Sequence, residues 1–200
     1  EAEVLSAFRA LRPYACKAHL AKYCLLYDHG GVYADLSYDF LRGVPRHNER
    51  LSVFRDFLSS TPWDTSIGVV AAPPRHKALG KAIELVCAKV RREYHGPTAL
   101  CPTGPTLFGK AVALTCDPED LIVGEAVRLT LPPSGNAGPE QKPSHCLLHA
   151  KELVAIKRKR GGGPLSELGI GGGNRYTRLW RSREVYRQRP PWARIFRWRI

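Results

Sequence analysis

The chain has 200 residues, of which 44% are hydrophobic and 9% aromatic. This composition supports one domain with a buried core, and it excludes both a large multidomain protein and wholesale disorder. The 31 Lys and Arg against 18 Asp and Glu give a net charge of +13, which favours an anionic partner such as nucleotide phosphate, nucleic acid or an acidic membrane surface.

The basic excess is concentrated at one end of the chain. Residues 151–200 carry 14 Lys and Arg against three acidic residues, whereas residues 1–150 carry 17 against 15. We therefore predict a nearly neutral folded core over 1–150 and a basic segment rich in Gly, Arg and Trp over 151–200. A uniformly basic nucleic-acid-binding domain is disfavoured by this distribution.

Other sequence features limit the class of protein. The chain lacks Met and begins with Glu1, so we expect an excised or partial domain. No stretch reaches the roughly 20 apolar residues of a bilayer span. The six cysteines are widely spaced without a C-x-x-C pair, which predicts free thiols rather than zinc ligands.

Apolar periodicity predicts helices and strands that alternate along the chain. Helices are predicted over residues 3–11, 13–28, 76–94, 105–113 and 174–187. Buried strands are predicted over residues 32–36, 66–72, 121–123 and 126–131, with a variable stretch at 41–63 and a loop at 134–144. This order predicts a layered α/β domain with a mostly parallel or mixed sheet.

The segment from Lys17 to Asp39 is the most informative for function. Gly30 suits the left-handed residue that closes a helix, and the strand after it delivers Asp35 at its carboxyl end, where ligands bind in α/β sheets. If the chain stays extended, Asp35, Ser37 and Asp39 share one face. Two carboxylates and a hydroxyl suit a hard cation that is held jointly with a diphosphate.

This segment resembles the sugar-binding, DxD-containing region of glycosyltransferase family 32, whose pattern is roughly A-D-x-x-R-Y-x-x-L-Y-x-x-G-G-x-Y-x-D-x-D. That family includes fungal mannosyltransferases and bacterial capsular-polysaccharide transferases. The resemblance continues at two further blocks, Thr103-Gly104-Pro105 (a TGP loop) and residues 172–176 with Leu179-Trp180 and Val185-Tyr186 (a terminal block). It covers residues 10–187.

The resemblance implies a GT-A fold, a Rossmann-related mixed sheet flanked by helices, whose first strand or strands we expect to precede Glu1. It also implies a nucleotide-sugar donor, Mn²⁺ or Mg²⁺, and transfer with retention to a glycan or lipid-linked acceptor, as in polysaccharide biosynthesis. Carried over, the catalytic residue is Asp35. The donor-binding positions are His19, Lys22, Gly30, Gly31, Tyr33, Asp35, Thr103 and Gly104. The metal ligands are Asp35, Ser37 and Asp39, together with His149, because a C-terminal His completes the metal site in some retaining GT-A enzymes.

Three polar positions depart from the family pattern. His19 stands where the family has Asp, Lys22 where it has Arg, and Ser37 where it has the second Asp of the DxD. At position 22, lysine keeps the positive charge but lacks the bidentate hydrogen-bonding geometry of arginine. At position 37, a hydroxyl is a weaker ligand for a cation than a carboxylate. Two interpretations therefore stay open, an active transferase and a catalytically impaired transferase-fold domain that binds a glycan, a nucleotide or a membrane.

The C-terminal residues 190–200 interleave Arg with Trp and Phe. This pattern suits peripheral contact with an anionic membrane surface, and it equally suits a solvated tail. Nucleic acid is the least favoured partner because no recognition motif is present. The localisation stays open between the cytoplasm or its membrane face in a bacterium and the Golgi lumen in a eukaryote.

Overall fold

The computed structural model describes residues 1–57, 64–130, 144–157 and 175–187. The α-helices in these ranges are α1 (Ala2–Ala10), α2 (Tyr14–His29), α3 (Lys77–Arg91), α4 (Pro105–Thr115) and α5 (Tyr176–Arg181). The strands are β1 (Gly31–Ala34), β2 (Tyr38–Phe40), β3 (Leu51–Asp56), β4 (Thr65–Ala72), β5 (Leu121–Leu129), β6 (Ser144–His149) and β7 (Glu152–Lys157).

The helix boundaries follow local chemistry. Pro13 precedes the first turn of α2, and Gly30 ends that helix with φ 65°, its N–H donating to the Leu26 carbonyl at 2.8 Å. Pro105 occupies the first turn of α4, where its missing N–H costs no hydrogen bond. The predictions of a glycine end for the second helix and a proline start at residue 105 are confirmed.

The strands form one seven-stranded mixed sheet in the order β1-β4-β3-β5-β6-β7-β2. Among the described strands, β3 and β5 pair in parallel, and the other neighbours are antiparallel. The predicted α/β class with a mixed sheet is therefore confirmed.

Several elements differ from the sequence prediction. The predicted variable stretch contains β3, and β2, β6 and β7 were not predicted. A single strand, β5, replaces the two strands predicted over 121–131. Residue 150 lies in the turn of the β6–β7 hairpin, and the division of the chain at this residue stays a prediction.

Some predicted features lie outside the described residues. The loop at 134–144 lies almost entirely outside the described residues, as do the Gly-rich start of the terminal block and the Arg/Trp tail at 190–200. The helix predicted over 174–187 is helical over Tyr176–Arg181, after which Tyr186 bridges to Leu11.

The connection between β1 and β2 bends the sheet. These strands occupy opposite ends of the strand order, yet three residues separate Ala34 from Tyr38. Such a connection spans at most about 14 Å. The two edges of the sheet therefore converge at this point, and the sheet curls around on itself.

Side chains on the two faces of the curled sheet enter two cores. Successive residues of a strand point to opposite faces, and accordingly Val69 of β4 joins the smaller core while Val70 joins the larger one. The smaller core consists of Tyr38, Phe54, Val69, Ala126, Leu147, Val154 and Ala155. The larger core packs α1 to α4 on the sheet, and within it the rings of Tyr23 and Phe108 stack with centroids 5.4 Å apart.

None of the helices in the described ranges is long and apolar enough to span a membrane.

The close packing of β5 against β3 and β6 gives a stability prediction. A Cβ at Gly124 would lie 2.5 Å from both Phe54 Cδ1 and the Leu148 carbonyl oxygen. We expect Gly124→Ala to lower the free energy of unfolding by about 1–3 kcal/mol through overpacking, as measured by urea denaturation. The matched control is Gly43→Ala, since a Cβ there meets open space. Equal stabilities for the two variants would contradict this packing.

Candidate functional site

A cavity of about 270 Å³ opens where the edges of the curled sheet converge. It receives residues from α2, from the turn after β1, from the carboxyl end of β3 and from the loop before α4, as well as from β4, β5, β6, β7 and α5. Polar groups at its wall include His19, Asp35, Tyr38, Asp56, Ser66, His145 and Lys157. Because β3 and β5 are parallel here, the cavity lies at the carboxyl end of a parallel strand pair, where α/β sheets bind ligands.

Asp35 is the first residue after β1, and its carboxylate is held on several sides. Its backbone N–H donates to the Gly68 carbonyl at 2.7 Å. One carboxylate oxygen, Oδ1, accepts from the Tyr33 hydroxyl at 3.0 Å and lies 3.8 Å from Lys22 Nζ. The other, Oδ2, lies 3.6 Å from Lys157 Nζ. One carboxylate therefore faces two ammonium groups at the cavity wall.

Lys22 is a buried cation with defined partners. Its side chain is 3% exposed, its Nζ donates to the Ile67 carbonyl at 2.7 Å, and the ammonium lies 3.9 Å from the centroid of the Tyr33 ring. Burial lowers the pKa of Lys22 to about 8, although the charge of Asp35 acts in the opposite direction. The group is therefore mainly charged at neutral pH, and it links α2 to β1 and β4.

His19 joins the motif on α2 to the loop before α4. Its Nδ1 lies 3.1 Å from the Thr103 hydroxyl, and the Tyr23 hydroxyl donates to the Thr103 carbonyl at 2.9 Å. Burial, together with the charge of Lys22, lowers the pKa of His19 to about 3. His19 is therefore a neutral hydrogen-bonding group at physiological pH.

Gly104 lies in the same loop, at a point where its backbone closely approaches the backbone of Leu100. A Cβ at this position would lie 2.9 Å from the Leu100 carbonyl oxygen, so a larger residue would displace the loop. Leu100 and Pro105, on either side of Gly104, line the cavity. The two predicted donor-binding blocks, on α2 and at residues 103–105, are thus brought together.

The glycine pair at the start of β1 lies at the other end of that strand. Gly31 pairs with Ala72, whereas Ala34 next to Asp35 pairs with Val69. Gly31 contributes instead to a separate groove of about 550 Å³, which Arg46 and Arg50 also line. The structure therefore places Gly30 and Gly31 in the helix-to-strand joint and not at the wall of the Asp35 cavity.

Three of the four predicted metal ligands also lie away from the cavity wall. The chain turns after Asp35, so the extended geometry that would align Ser37 and Asp39 with it is not formed. Asp39 pairs with Ile156 within the sheet, and His149 ends β6 opposite Glu152. Of this set, Asp35 alone is among the residues that line the cavity.

We tested whether the donor set at Asp35 fits a divalent cation. No group of three His, Cys, Asp or Glu side chains in the described ranges is placed to hold a metal ion. A cation bound to Asp35 would also lie near two ammonium groups. Two unit charges 4 Å apart interact by about 4 kcal/mol at an effective dielectric constant of 20, and a divalent ion doubles the repulsion. The described residues therefore do not fit a metal ion held by the protein.

Of the polar groups named at the cavity wall, sequence reasoning missed five, namely Tyr38, Asp56, Ser66, His145 and Lys157. Asp56 ends β3, and Lys157 ends β7. A local signal for Lys157 was present in the sequence. Leu153 to Ile156 form a short apolar run that is consistent with a buried strand, and Lys157 follows this run directly.

No family model and no curated protein matches the sequence. Among solved structures, one named PaToxG glycosyltransferase is similar to this chain at 19% identity, with a TM-score of 0.44. The match covers 50% of this chain and 36% of that chain, so it spans about a third of the similar structure.

The neutral state of His19 gives a pH prediction. Its pKa in the folded chain, about 3, is below the ordinary value of 6.5. As the pH falls, His19 therefore takes up a proton in the unfolded chain before it does so in the folded chain. The contribution of neutral His19 to the free energy of unfolding is lost from about pH 6.5 towards pH 3. We expect urea denaturation at pH 7.5 and pH 5 to show a smaller loss for His19→Gln than for the wild type.

The control for this experiment is His29→Gln at the exposed end of α2. This variant should keep the pH dependence of the wild type. The same loss of stability in His19→Gln and in the wild type would contradict a partly buried, neutral His19.

Proposed function

We propose that this chain is a glycosyltransferase domain of the GT-A type, which moves a sugar from a nucleotide-sugar donor to a glycan or lipid-linked acceptor. The observation that carries the proposal is the contact between His19 and Thr103, 84 residues apart in sequence, beside the cavity that Asp35 lines. These residues belong to two separate blocks that resemble the same family. Their meeting at one cavity is what a shared donor site requires.

The size and lining of the cavity favour the reactive end of the donor. Its volume of about 270 Å³ is slightly below the roughly 300–1,000 Å³ typical of pockets for drug-sized ligands. A sugar and its adjacent phosphate suit this space better than a complete nucleotide sugar does. The carboxylate of Asp35 can accept hydrogen bonds from sugar hydroxyls, and the ammonium of Lys157 can bind phosphate oxygen.

The transfer would proceed as a substitution at the sugar C1 atom. The bond between C1 and the phosphate oxygen breaks, and its electron pair stays on that oxygen. The acceptor hydroxyl oxygen bonds to C1 with retention of configuration, as the resemblance implies, and its proton leaves with the nucleoside diphosphate.

Charged groups that are already in position at the cavity wall before the donor binds would favour this step. Positive charge beside the cavity stabilises the negative charge that develops on the leaving diphosphate. Asp35 stabilises the positive charge that develops at C1. His19, which is neutral, orients the Thr103 loop and does not transfer a proton.

The second candidate function is a binding domain of the same fold without turnover. The departures at His19, Lys22 and Ser37 favour it, because polar positions have changed while the scaffold around them is kept. Such a domain would bind a nucleotide or a glycan at the same cavity and release no nucleoside diphosphate.

A donor panel tests the proposed function. The purified chain is incubated with UDP- and GDP-sugars, with and without Mn²⁺, and both the melting temperature and the release of nucleoside diphosphate are measured. We expect one donor class to raise the melting temperature and to be hydrolysed. Asp35→Asn should lower its turnover by about 10²-fold or more, the effect of losing one charge-stabilising group.

The control for this variant is Asp28→Asn, since Asp28 is about half exposed and pairs with Arg75 at the surface. It should keep full turnover. A melting temperature that no donor shifts, together with an absence of hydrolysis, would contradict the proposed function. Binding without turnover in the wild type would identify the second candidate.

A further inference from the structure

Lys157 is the cation at the cavity wall that sequence reasoning did not identify. It is the last residue of β7, its side chain is 39% exposed, and its Nζ lies 3.6 Å from Asp35 Oδ2. Among the described residues that line the cavity, it is the one Lys or Arg. It therefore presents its charge to a ligand, whereas Lys22 is buried behind Asp35.

The sheet fixes the position of Lys157 on both sides. Its backbone pairs with His145 of β6 and with Tyr38 of β2. The ammonium also lies 5.2 Å from the centroid of the Tyr38 ring, within the range of a cation–π contact. A side chain held in this way loses little further freedom when it binds an anion.

The charged groups beside Asp35 are positive on balance. Lys22 and Lys157 carry two positive charges against the single carboxylate of Asp35. Asp56 also lines the cavity, and its charge, like that of Asp35, acts on Tyr38, against whose ring the Lys157 ammonium lies. The cavity as a whole is therefore balanced in charge, and Lys157 is the group that offers a positive charge to a ligand.

We propose that Lys157, with Lys22 behind Asp35, supplies the positive charge that neutralises the diphosphate of a nucleoside-diphosphate sugar, so that this chain binds its donor without a divalent cation. This inference rests on the proposed function and specifies how the leaving group is stabilised. The bonds that form and break are those of the transfer described above. The electron pair of the broken C1–O bond remains on the phosphate oxygen that faces the Lys157 ammonium.

Binding measurements with and without metal test the inference. The full chain is treated with EDTA, and UDP, GDP and their sugars are titrated by calorimetry in EDTA, in Mn²⁺ and in Mg²⁺. We expect the affinity for the preferred nucleotide to be the same in all three conditions. Lys157→Met should weaken it by about tenfold or more, as expected from the loss of a charged hydrogen bond, and added Mn²⁺ should not restore it.

Two further variants control for charge and for fold. Lys157→Arg keeps the positive charge and should retain most of the affinity. Lys110→Met removes an exposed lysine from α4 and should bind like the wild type. Thermal melting of Lys157→Met checks that the variant is folded, and Lys157→Gln serves as a second neutral variant if it is not.

The outcomes separate this inference from the proposed function. Binding that appears with Mn²⁺ and disappears in EDTA would overturn the inference and leave the proposed function standing. Unchanged affinity in both Lys157→Met and Lys157→Gln would also overturn it. An absence of binding to every nucleotide under every condition would overturn both.

Discussion

The buried ammonium of Lys22 is the interaction on which the candidate site depends. It joins three elements, because it extends from α2, donates to the Ile67 carbonyl in β4 and lies close to Asp35 after β1. A buried charge without partners costs several kcal/mol, so the helix, the strand and the carboxylate hold one another in place. The position of Asp35 at the cavity wall follows from this need to balance the charge of Lys22.

The curl of the sheet then determines which other residues meet Asp35. The connection from β1 to β2 is short, so β2 and its neighbour β7 are brought to the edge that β1 occupies. Lys157 reaches Asp35 through this closure, although the two residues are 122 positions apart in the chain. The ammonium groups of Lys22 and Lys157 each lie within 4 Å of the Asp35 carboxylate, and this arrangement is the basis for the proposed donor binding without a metal ion.

The predictions for the site had unequal outcomes in the structure. Asp35 and His19 line one cavity, with Lys22, Tyr33 and Thr103 in contact with them. Gly30 and Gly31 are placed in the joint between α2 and β1. Ser37 and Asp39 lie away from the cavity wall, because the turn after Asp35 ends the extended run on which their shared face was premised. His149, which was expected from the resemblance alone, ends β6 opposite Glu152 and does not line the cavity.

The sequence by itself determined the helices, the glycine that ends α2, the α/β class and the segment that contains Asp35. These features depend on residues close together in the chain, whose spacing records burial and backbone conformation directly. The tertiary structure alone decided the strand order, the curl, the cavity and the meeting of Lys157 with Asp35. Pairing between distant strands depends on the register and packing of the whole sheet, which no local pattern at β2, β3 or β7 specifies.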